Sequence, residues 1–183
     1  MRIIGGKNKG FRFHPPRNNP ARPTTDIAKE GLFNVLYNQF DFEQISVLDI
    51  FGGTGSISYE FASRGCADIT NIEIHYPNVA FIKETAAKLN FNIKVYKKDV
   101  FQFIKQCESN FAVIFAGPPY PLKTIPEIPD LIFKNKMLKQ EGWLVLEHNP
   151  DHNFEAHDKF LRSKNYGTTI FSIFEMPLIN KTE

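Results

Sequence analysis

Cysteine and long apolar runs are almost absent from this sequence. Cys66 and Cys107 are the only cysteines among 183 residues, and both stand among apolar neighbours, so buried, reduced thiols are expected rather than a disulfide or a metal site. No apolar run approaches the roughly 18 residues that cross a bilayer. The opening MRIIGGKNKG also lacks the apolar core of a signal peptide. We therefore expect a cytoplasmic protein that has no contact with a membrane.

Acidic residues are missing from positions 1–25. This segment carries six basic residues and a charge of +6, whereas the whole chain carries +2, which leaves −4 for the remainder. A basic segment on a mildly acidic body predicts a partner made of phosphates. The alternative is a solvated, lysine-rich edge that discourages strand pairing. The candidate contacts to nucleic acid are Arg2, Lys7, Lys9, Arg12, Arg17, Arg22, Thr24 and Thr25.

The composition is that of one soluble domain, with 42% hydrophobic and 23% charged residues. We divide it into a basic hairpin and arm at 1–25 and an α/β domain at 26–183. Residues 2–4 and 11–13 are predicted to form two short strands around a glycine-rich turn. Residues 15–23 contain four prolines and are predicted to form an extended, irregular arm.

From Ser46 onward, short apolar strands alternate with amphipathic helices, which is typical of a parallel sheet covered on both faces. The predicted strands are 46–50, 69–74, 92–96, 111–116 and 142–147, followed by a final, antiparallel strand at 168–175. The predicted helices lie around 56–64, 77–89, 101–107, 126–138 and 155–164. An earlier helix is expected after the candidate caps Thr24, Thr25 and Asp26.

Residues 47–56 read VLDIFGGTGS, a buried strand followed by a glycine loop. Glycines let the backbone turn sharply and approach a ligand, and the next helix offers N–H donors at its amino end. A dinucleotide fingerprint needs glycine at Ser58, and a Walker loop needs Gly-Lys-Ser/Thr; neither is present. The alternative is a tight turn that holds no ligand.

Three acidic residues limit the kind of ligand that the glycine loop is predicted to bind. Asp49 precedes the glycines, where it would repel a pyrophosphate but suits an ammonium group. Glu73 ends the next strand and can accept from both hydroxyls of a ribose, and Asp99 follows the third strand, within reach of an adenine. Together they describe S-adenosylmethionine better than NAD. The predicted cofactor-binding residues are Asp49, Phe51, Gly52, Gly53, Thr54, Gly55, Glu73, Ile74, Asp99 and Val100.

A fourth strand ends on a Pro-Pro pair, in the segment VIFAGPPY at 113–120. Consecutive prolines have fixed φ angles and no N–H donors, so they stop the ladder and leave their carbonyls to accept. At the carboxyl end of a parallel strand, such a turn lies where ligands bind. We predict Gly117, Pro118, Pro119 and Tyr120 as catalytic residues; the alternative is that the prolines merely end a strand.

These motifs together resemble class I S-adenosylmethionine-dependent methyltransferases. The opening MRIIGGK, RPTTD at 22–26 and KEGLFN at 29–34 resemble more narrowly the RsmD family, which methylates guanine N2 in small-subunit ribosomal RNA. The resemblance implies a Rossmann-like α/β fold with seven mostly parallel strands in the order 3-2-1-4-5-7-6, helices on both faces and an N-terminal β-hairpin extension. It further implies ribosomal RNA or the assembled small subunit as partner, S-adenosylmethionine as cofactor, no metal, and a monomer.

The sequence departs from this family at one position. The family's turn usually begins with Asp or Asn, whose side chain accepts from the target amine, and here that position is Gly117. The Pro118 carbonyl and the Tyr120 ring remain, and the ring can stack on a base, a contact typically worth about 1–3 kcal/mol. Two functions therefore stay open: a methyltransferase of ribosomal RNA that is slow or finds another acceptor, and an RNA-binding homologue without turnover.

Two features near position 150 are weaker. His148, His152 and His157 are spaced loosely like ligands, but they fall in a polar loop without a cysteine partner, so we predict no metal site. Glu147 and His148 end an apolar strand and either line the cleft or are solvated.

Overall fold

A computed structural model describes residues 1–16 and 24–178. Its seven strands are β1 (Ser46–Ile50), β2 (Asp68–Glu73), β3 (Ile93–Lys97), β4 (Phe111–Ala116), β5 (Leu138–His148), β6 (Phe160–Tyr166) and β7 (Thr169–Glu175). They form one sheet in the order β3-β2-β1-β4-β5-β7-β6, which confirms the order that the resemblance implies. The first five strands run parallel, and β7 is antiparallel to both β5 and β6.

Helices cover both faces of the sheet. They are α1 (Asp26–Tyr37), α2 (Ser56–Ser63), α3 (Tyr76–Lys88), α4 (Val100–Gln106) and α5 (Ile128–Lys134). Successive residues of β1 point to opposite faces, so Val47 joins the core under α1, α2 and α3, whereas Leu48 joins the core under α4 and α5. The central strands are therefore buried on both sides, which explains their continuous apolar runs. No helix among the described residues is long and apolar enough to cross a bilayer.

The predicted helix at 155–164 is wrong, because residues 160–166 form strand β6. This strand lies at the edge of the sheet with most of its side chains exposed, so its sequence carries almost no apolar pattern. Pairing with β7 through the turn at Gly167, whose φ is +71°, decides its conformation. The predicted helix at 126–138 is also too long, since it ends at Lys134 and Leu138 already belongs to β5.

The amino-terminal segment forms an irregular hairpin rather than two regular strands. Ile3 N donates to Phe11 O at 3.0 Å, and Phe13 N donates to Met1 O at 3.0 Å. Ile3 and Phe13 are buried in the same core as residues of α1 and α2. The Glu60 carboxylate, which is fully buried on α2, accepts from Ile4 N at 2.8 Å and fixes the hairpin to the α/β body.

The structure confirms the predicted cap of α1 and part of the prediction for the two cysteines. The Thr25 side chain accepts from Ala28 N at 3.3 Å, which confirms it as the cap of α1. Cys66 is buried as predicted, whereas Cys107 is half-buried, and both are free thiols. Most of the proline-rich arm at 15–23 lies outside the described residues, and a domain boundary after residue 25 stays a prediction.

Candidate functional site

A cavity of about 640 Å³ lies at the carboxyl ends of β1, β2, β4 and β5. Every predicted cofactor residue except Gly55 lines it, and so do all four residues of the Pro-Pro turn. The topology brings them together because parallel strands present their carboxyl ends at one edge of the sheet. The cavity therefore joins the two motifs that the sequence singled out separately.

The glycine loop forms the part of the cavity wall that follows β1. Phe51 and Gly53 have φ of +61° and +54°, and Gly52 N donates to Ile72 O at 3.0 Å, so the loop turns back against β2. Gly55 stands behind the cavity as the left-handed cap of α2. A Cβ there would lie 2.8 Å from the Tyr59 ring, so this position needs glycine in order to shape the loop.

Glu73 ties the loop to the end of β2. Its two carboxylate oxygens accept from Gly53 N and from His75 N, each at 2.7 Å. The sequence predicts contact with a ribose and does not reveal this second role, since both donors are backbone groups whose positions depend on the fold. Each carboxylate oxygen can take a further hydrogen bond, so ribose contact remains open to it.

Asp49 is buried at the base of the cavity with 1% of its surface exposed. Its Oδ2 accepts from Ser58 Oγ at 2.6 Å, from Ser58 N at 3.2 Å and from Asn71 Nδ2 at 3.1 Å. Burial raises the pKa of this carboxyl group to about 7, against the lowering effect of those bonds. A cationic ligand would favour the ionised form. Ser58, where a dinucleotide loop would have glycine, instead positions this carboxylate.

The far end of the cavity is mostly apolar. Asp99 caps α4 by accepting from Gln102 N at 2.9 Å. Ile74, which is 61% exposed, and Phe101 line the wall beside it. Acidic groups near the loop and an apolar wall near α4 match the amine, the ribose and the adenine of S-adenosylmethionine, so the described residues fit that cofactor.

The Pro-Pro turn is fixed by backbone contacts. Gly117 N donates to Ile50 O at 3.3 Å, and Leu122 N donates to Pro119 O at 2.9 Å. The Pro119 carbonyl is therefore engaged in the turn, whereas no backbone N–H of the described residues donates to the Pro118 carbonyl. A Cβ at position 117 would lie 3.0 Å from the Phe115 ring, so a larger side chain needs only a small movement of that ring.

Glu147, at the end of β5, lines the cavity and is not solvated. It is 6% exposed, and its carboxylate accepts from Thr24 Oγ1 at 2.7 Å and from the Tyr120 hydroxyl at 3.3 Å. His148 points elsewhere and is neither solvated nor in the cavity. Its Nε2 lies 2.8 Å from Ser172 Oγ, and burial lowers its pKa.

The predicted contacts to nucleic acid are not equivalent. Arg2 Nε donates to Asp26 Oδ2 at 2.7 Å, so an acid already compensates its charge. Lys7, Lys9 and Arg12 are exposed on the hairpin. Thr24 lies at the cavity and Thr25 caps α1, whereas Arg17 and Arg22 lie outside the described residues. Among the described residues, no group of His, Cys, Asp and Glu side chains is arranged to hold a metal ion.

Comparison with known proteins relates the chain to methyltransferases. The model of a family described as conserved hypothetical protein 95 matches residues 1–175. A ribosomal RNA small subunit methyltransferase D of Buchnera aphidicola subsp. Baizongia pistaciae is 30% identical over 148 residues, which are 80% of this chain and 75% of that protein.

Solved structures share the fold. The putative methyltransferase YhhF of Escherichia coli has a TM-score of 0.82 and 27% identity, with 97% of this chain and 98% of that one covered. An RNA methyltransferase of Salinibacter ruber in complex with S-adenosyl-L-homocysteine has a TM-score of 0.65 and 14% identity, with 88% and 98% covered. The second likeness is one of fold alone.

Proposed function

Because the chain belongs to the RsmD family of small-subunit ribosomal RNA methyltransferases, we propose that it transfers a methyl group from S-adenosylmethionine to guanine N2 in 16S ribosomal RNA. The observation that carries this proposal is the single cavity shared by the acid-lined glycine loop and the Pro-Pro-Tyr turn. A donor held by the loop and a base held by the turn would meet inside it.

The loop side supports the cofactor. Asp49 offers a buried carboxylate to the amino group, and Glu73 offers oxygens to the ribose while it holds Gly53 in place. Ile74 and Phe101 offer an apolar wall to the adenine. When bound, the cofactor supplies an electrophilic sulfonium methyl group, so the protein needs to position its partner rather than to provide a nucleophile.

The turn side supports an amine as acceptor. The exocyclic amine of guanine is a poor nucleophile because its lone pair is delocalised into the ring. The Pro118 carbonyl can accept from one N2–H, which favours the pyramidal amine that attacks in line, and the Tyr120 ring can stack on the base. The turn would therefore hold N2 in line with the methyl group that the cofactor would supply, and N2 would give up one proton to water as the methyl group replaces it.

The target base must leave its stack to enter this cavity. An exposed or looped nucleotide in ribosomal RNA or in the assembled small subunit is therefore the expected substrate. The basic hairpin would contact phosphates and orient the RNA, while the cavity selects the base.

Gly117 is the residue for which the sequence leaves open an RNA-binding homologue without turnover. It removes a side-chain acceptor, yet the Pro118 carbonyl, the Tyr120 ring and the whole glycine loop stay in the cavity. We therefore propose an active enzyme in which another group replaces the missing acceptor.

The test is transfer of labelled methyl from S-adenosylmethionine to small-subunit RNA and to small ribosomal subunits from cells that lack this modification. The expected product after nuclease digestion is N2-methylguanosine. Tyr120→Ala is expected to lower transfer while cofactor affinity is unchanged. No incorporation into either substrate, or label on a different atom, would contradict the proposal.

A further inference from the structure

We propose that the RNA-binding surface extends from the basic hairpin onto the carboxyl end of α3, where Lys7 and Lys88 together contact phosphates. This inference rests on the proposed function and deepens it, because it describes the substrate as an RNA whose backbone continues well beyond the base in the cavity. The sequence prediction places its phosphate contacts within residues 1–25 and assigns none to α3.

The hairpin and the end of α3 exchange cation–π contacts. Lys7 Nζ, on the hairpin, lies 5.6 Å from the centre of the Phe91 ring, which follows α3. Lys88 Nζ, in the last turn of α3, lies 5.5 Å from the centre of the Phe11 ring on the hairpin. These two contacts bring ammonium groups from distant parts of the chain to one surface and hold them there.

The charge of this surface favours a polyanion. Residues 1–16 hold four basic residues and no acid. Lys7 and Lys88 are both exposed, and among the residues that the structure describes neither forms an ion pair, although Glu84 stands one helical turn before Lys88. A lysine whose stem packs on a ring keeps its charged group in water, where it can contact a phosphate.

The length of α3 places Lys88 far from the cavity. This helix has 13 residues, begins directly after His75 in the cavity wall and ends at Lys88. At 1.5 Å per residue, Lys88 lies about 18 Å from the start of the helix. A phosphate bound by Lys88 therefore belongs to a different part of the RNA from the target base.

The hairpin runs in the same direction, alongside α2. Near the cavity, the Thr54 hydroxyl lies 3.7 Å from Met1 Sδ. At the other end, Lys7 N donates at 2.7 Å to the carbonyl of Ser63, the last residue of α2. Lys7 and Lys88 thus lie at the same end of the molecule, opposite the cavity.

This separation divides the work of recognition. Phosphate contacts fix the register and orientation of a nucleic acid and carry no base identity. A surface about 18 Å from the cavity rim along α3 selects RNA that presents its backbone there while the target base is in the cavity. A folded RNA or the assembled small subunit meets this requirement, whereas a few nucleotides around the target do not.

The experiment measures binding to naked small-subunit RNA at several salt concentrations. It compares wild type, the double variant Lys7→Gln/Lys88→Gln and the control Lys105→Gln, an exposed lysine of α4 on the other face of the sheet. Each phosphate contact contributes about 0.7–0.9 to the slope of log affinity against log salt, so the double variant should lose about 1.5. Lys105→Gln should keep the wild-type slope, and cofactor affinity should be unchanged in both variants.

A conservative variant separates charge from packing. Lys88→Arg keeps the charge and can also lie over the Phe11 ring, so its slope should equal that of wild type. Loss of slope in Lys88→Arg as large as in Lys88→Gln would overturn the inference, as would an unchanged slope in the double variant or an equal loss in Lys105→Gln.

The nature of the partner is tested by the same measurement. An effect that appears with small subunits and is absent with naked RNA would overturn the inference and indicate a protein partner. A wild-type protein that binds no naked RNA would overturn it as well. Neither result depends on turnover, so failure of this inference is distinguishable from failure of the proposed function, which is the absence of methyl transfer to RNA and to particles.

Discussion

The hydroxyl of Thr24 donates to the carboxylate of Glu147 across 2.7 Å, joining residues that are 123 positions apart in the chain. Thr24 follows the basic arm, and Glu147 ends β5 inside the cavity. The same carboxylate also contacts Tyr120 of the Pro-Pro turn. The segment expected to contact RNA is therefore bonded directly to the site expected to hold its target base.

Neutralising the basic segment should weaken RNA binding through lost phosphate contacts. Replacing Arg12, Arg17 and Arg22 together by glutamine is expected to lower RNA affinity and to reduce the slope of log affinity against log salt by about 2 to 3. Filter binding at several salt concentrations measures both. Arg2→Gln serves as the comparison and should have a smaller effect, since Asp26 already pairs with Arg2. An unchanged slope in the triple variant would refute this role.

Restoring a side-chain acceptor at position 117 tests whether the enzyme is impaired. If another group already replaces the missing acceptor, Gly117→Asn should change kcat less than tenfold. The Cβ of the new side chain would lie 3.0 Å from the buried Phe115 ring, which has to shift slightly to admit it. An increase of about 10²–10³ would instead show that one preorganised acceptor is missing from the natural protein.

The buried ion pair beneath the hairpin should contribute more to the free energy of unfolding than an exposed ion pair does. Lys29 and Glu60 are 1% and 0% exposed, with 3.2 Å between Lys29 Nζ and Glu60 Oε1. Lys29→Met leaves a buried carboxylate partly uncompensated and is expected to lower the free energy of unfolding by about 3 kcal/mol. Lys94→Met breaks an exposed pair with Asp68 and should cost under about 1 kcal/mol. Urea unfolding curves compare them, and equal costs would refute the anchoring role.

Cofactor affinity should depend on pH through Asp49. Its pKa of about 7 means that the free protein holds this group largely protonated below neutrality. A cationic ligand favours the ionised form, so binding releases a proton, and affinity should fall as pH drops from about 7 to 5.5, by up to tenfold per unit. Calorimetry in two buffers detects the released proton. Asp49→Asn should flatten the profile, and an equal slope in that variant would exclude Asp49 as the cause.

The sequence predicts local chemistry better than it predicts contacts across the fold. The sequence predicts the glycine loop, the acids at the ends of β1 and β2 and the Pro-Pro turn, because each of these motifs is contiguous and lies at the end of a buried strand. The sequence does not predict strand β6, because this strand is a polar edge strand that is stabilised by pairing with β7 and has no apolar pattern of its own. The partners of Asp49 and Glu147 are likewise hidden, since Asn71 and Thr24 reach them only once the chain has folded.

Calorimetric titration with S-adenosylmethionine tests the central proposal most directly. One molecule is expected to bind per chain. Glu73→Gln should bind it at least tenfold more weakly, because this change places an amide NH₂ against one of the two backbone N–H groups from which the Glu73 carboxylate accepts. Glu108→Gln, in the groove at the opposite end of the strands, should bind like wild type. No measurable heat with wild type, or equal affinity for the Glu73 variant, would contradict the assignment of this cavity.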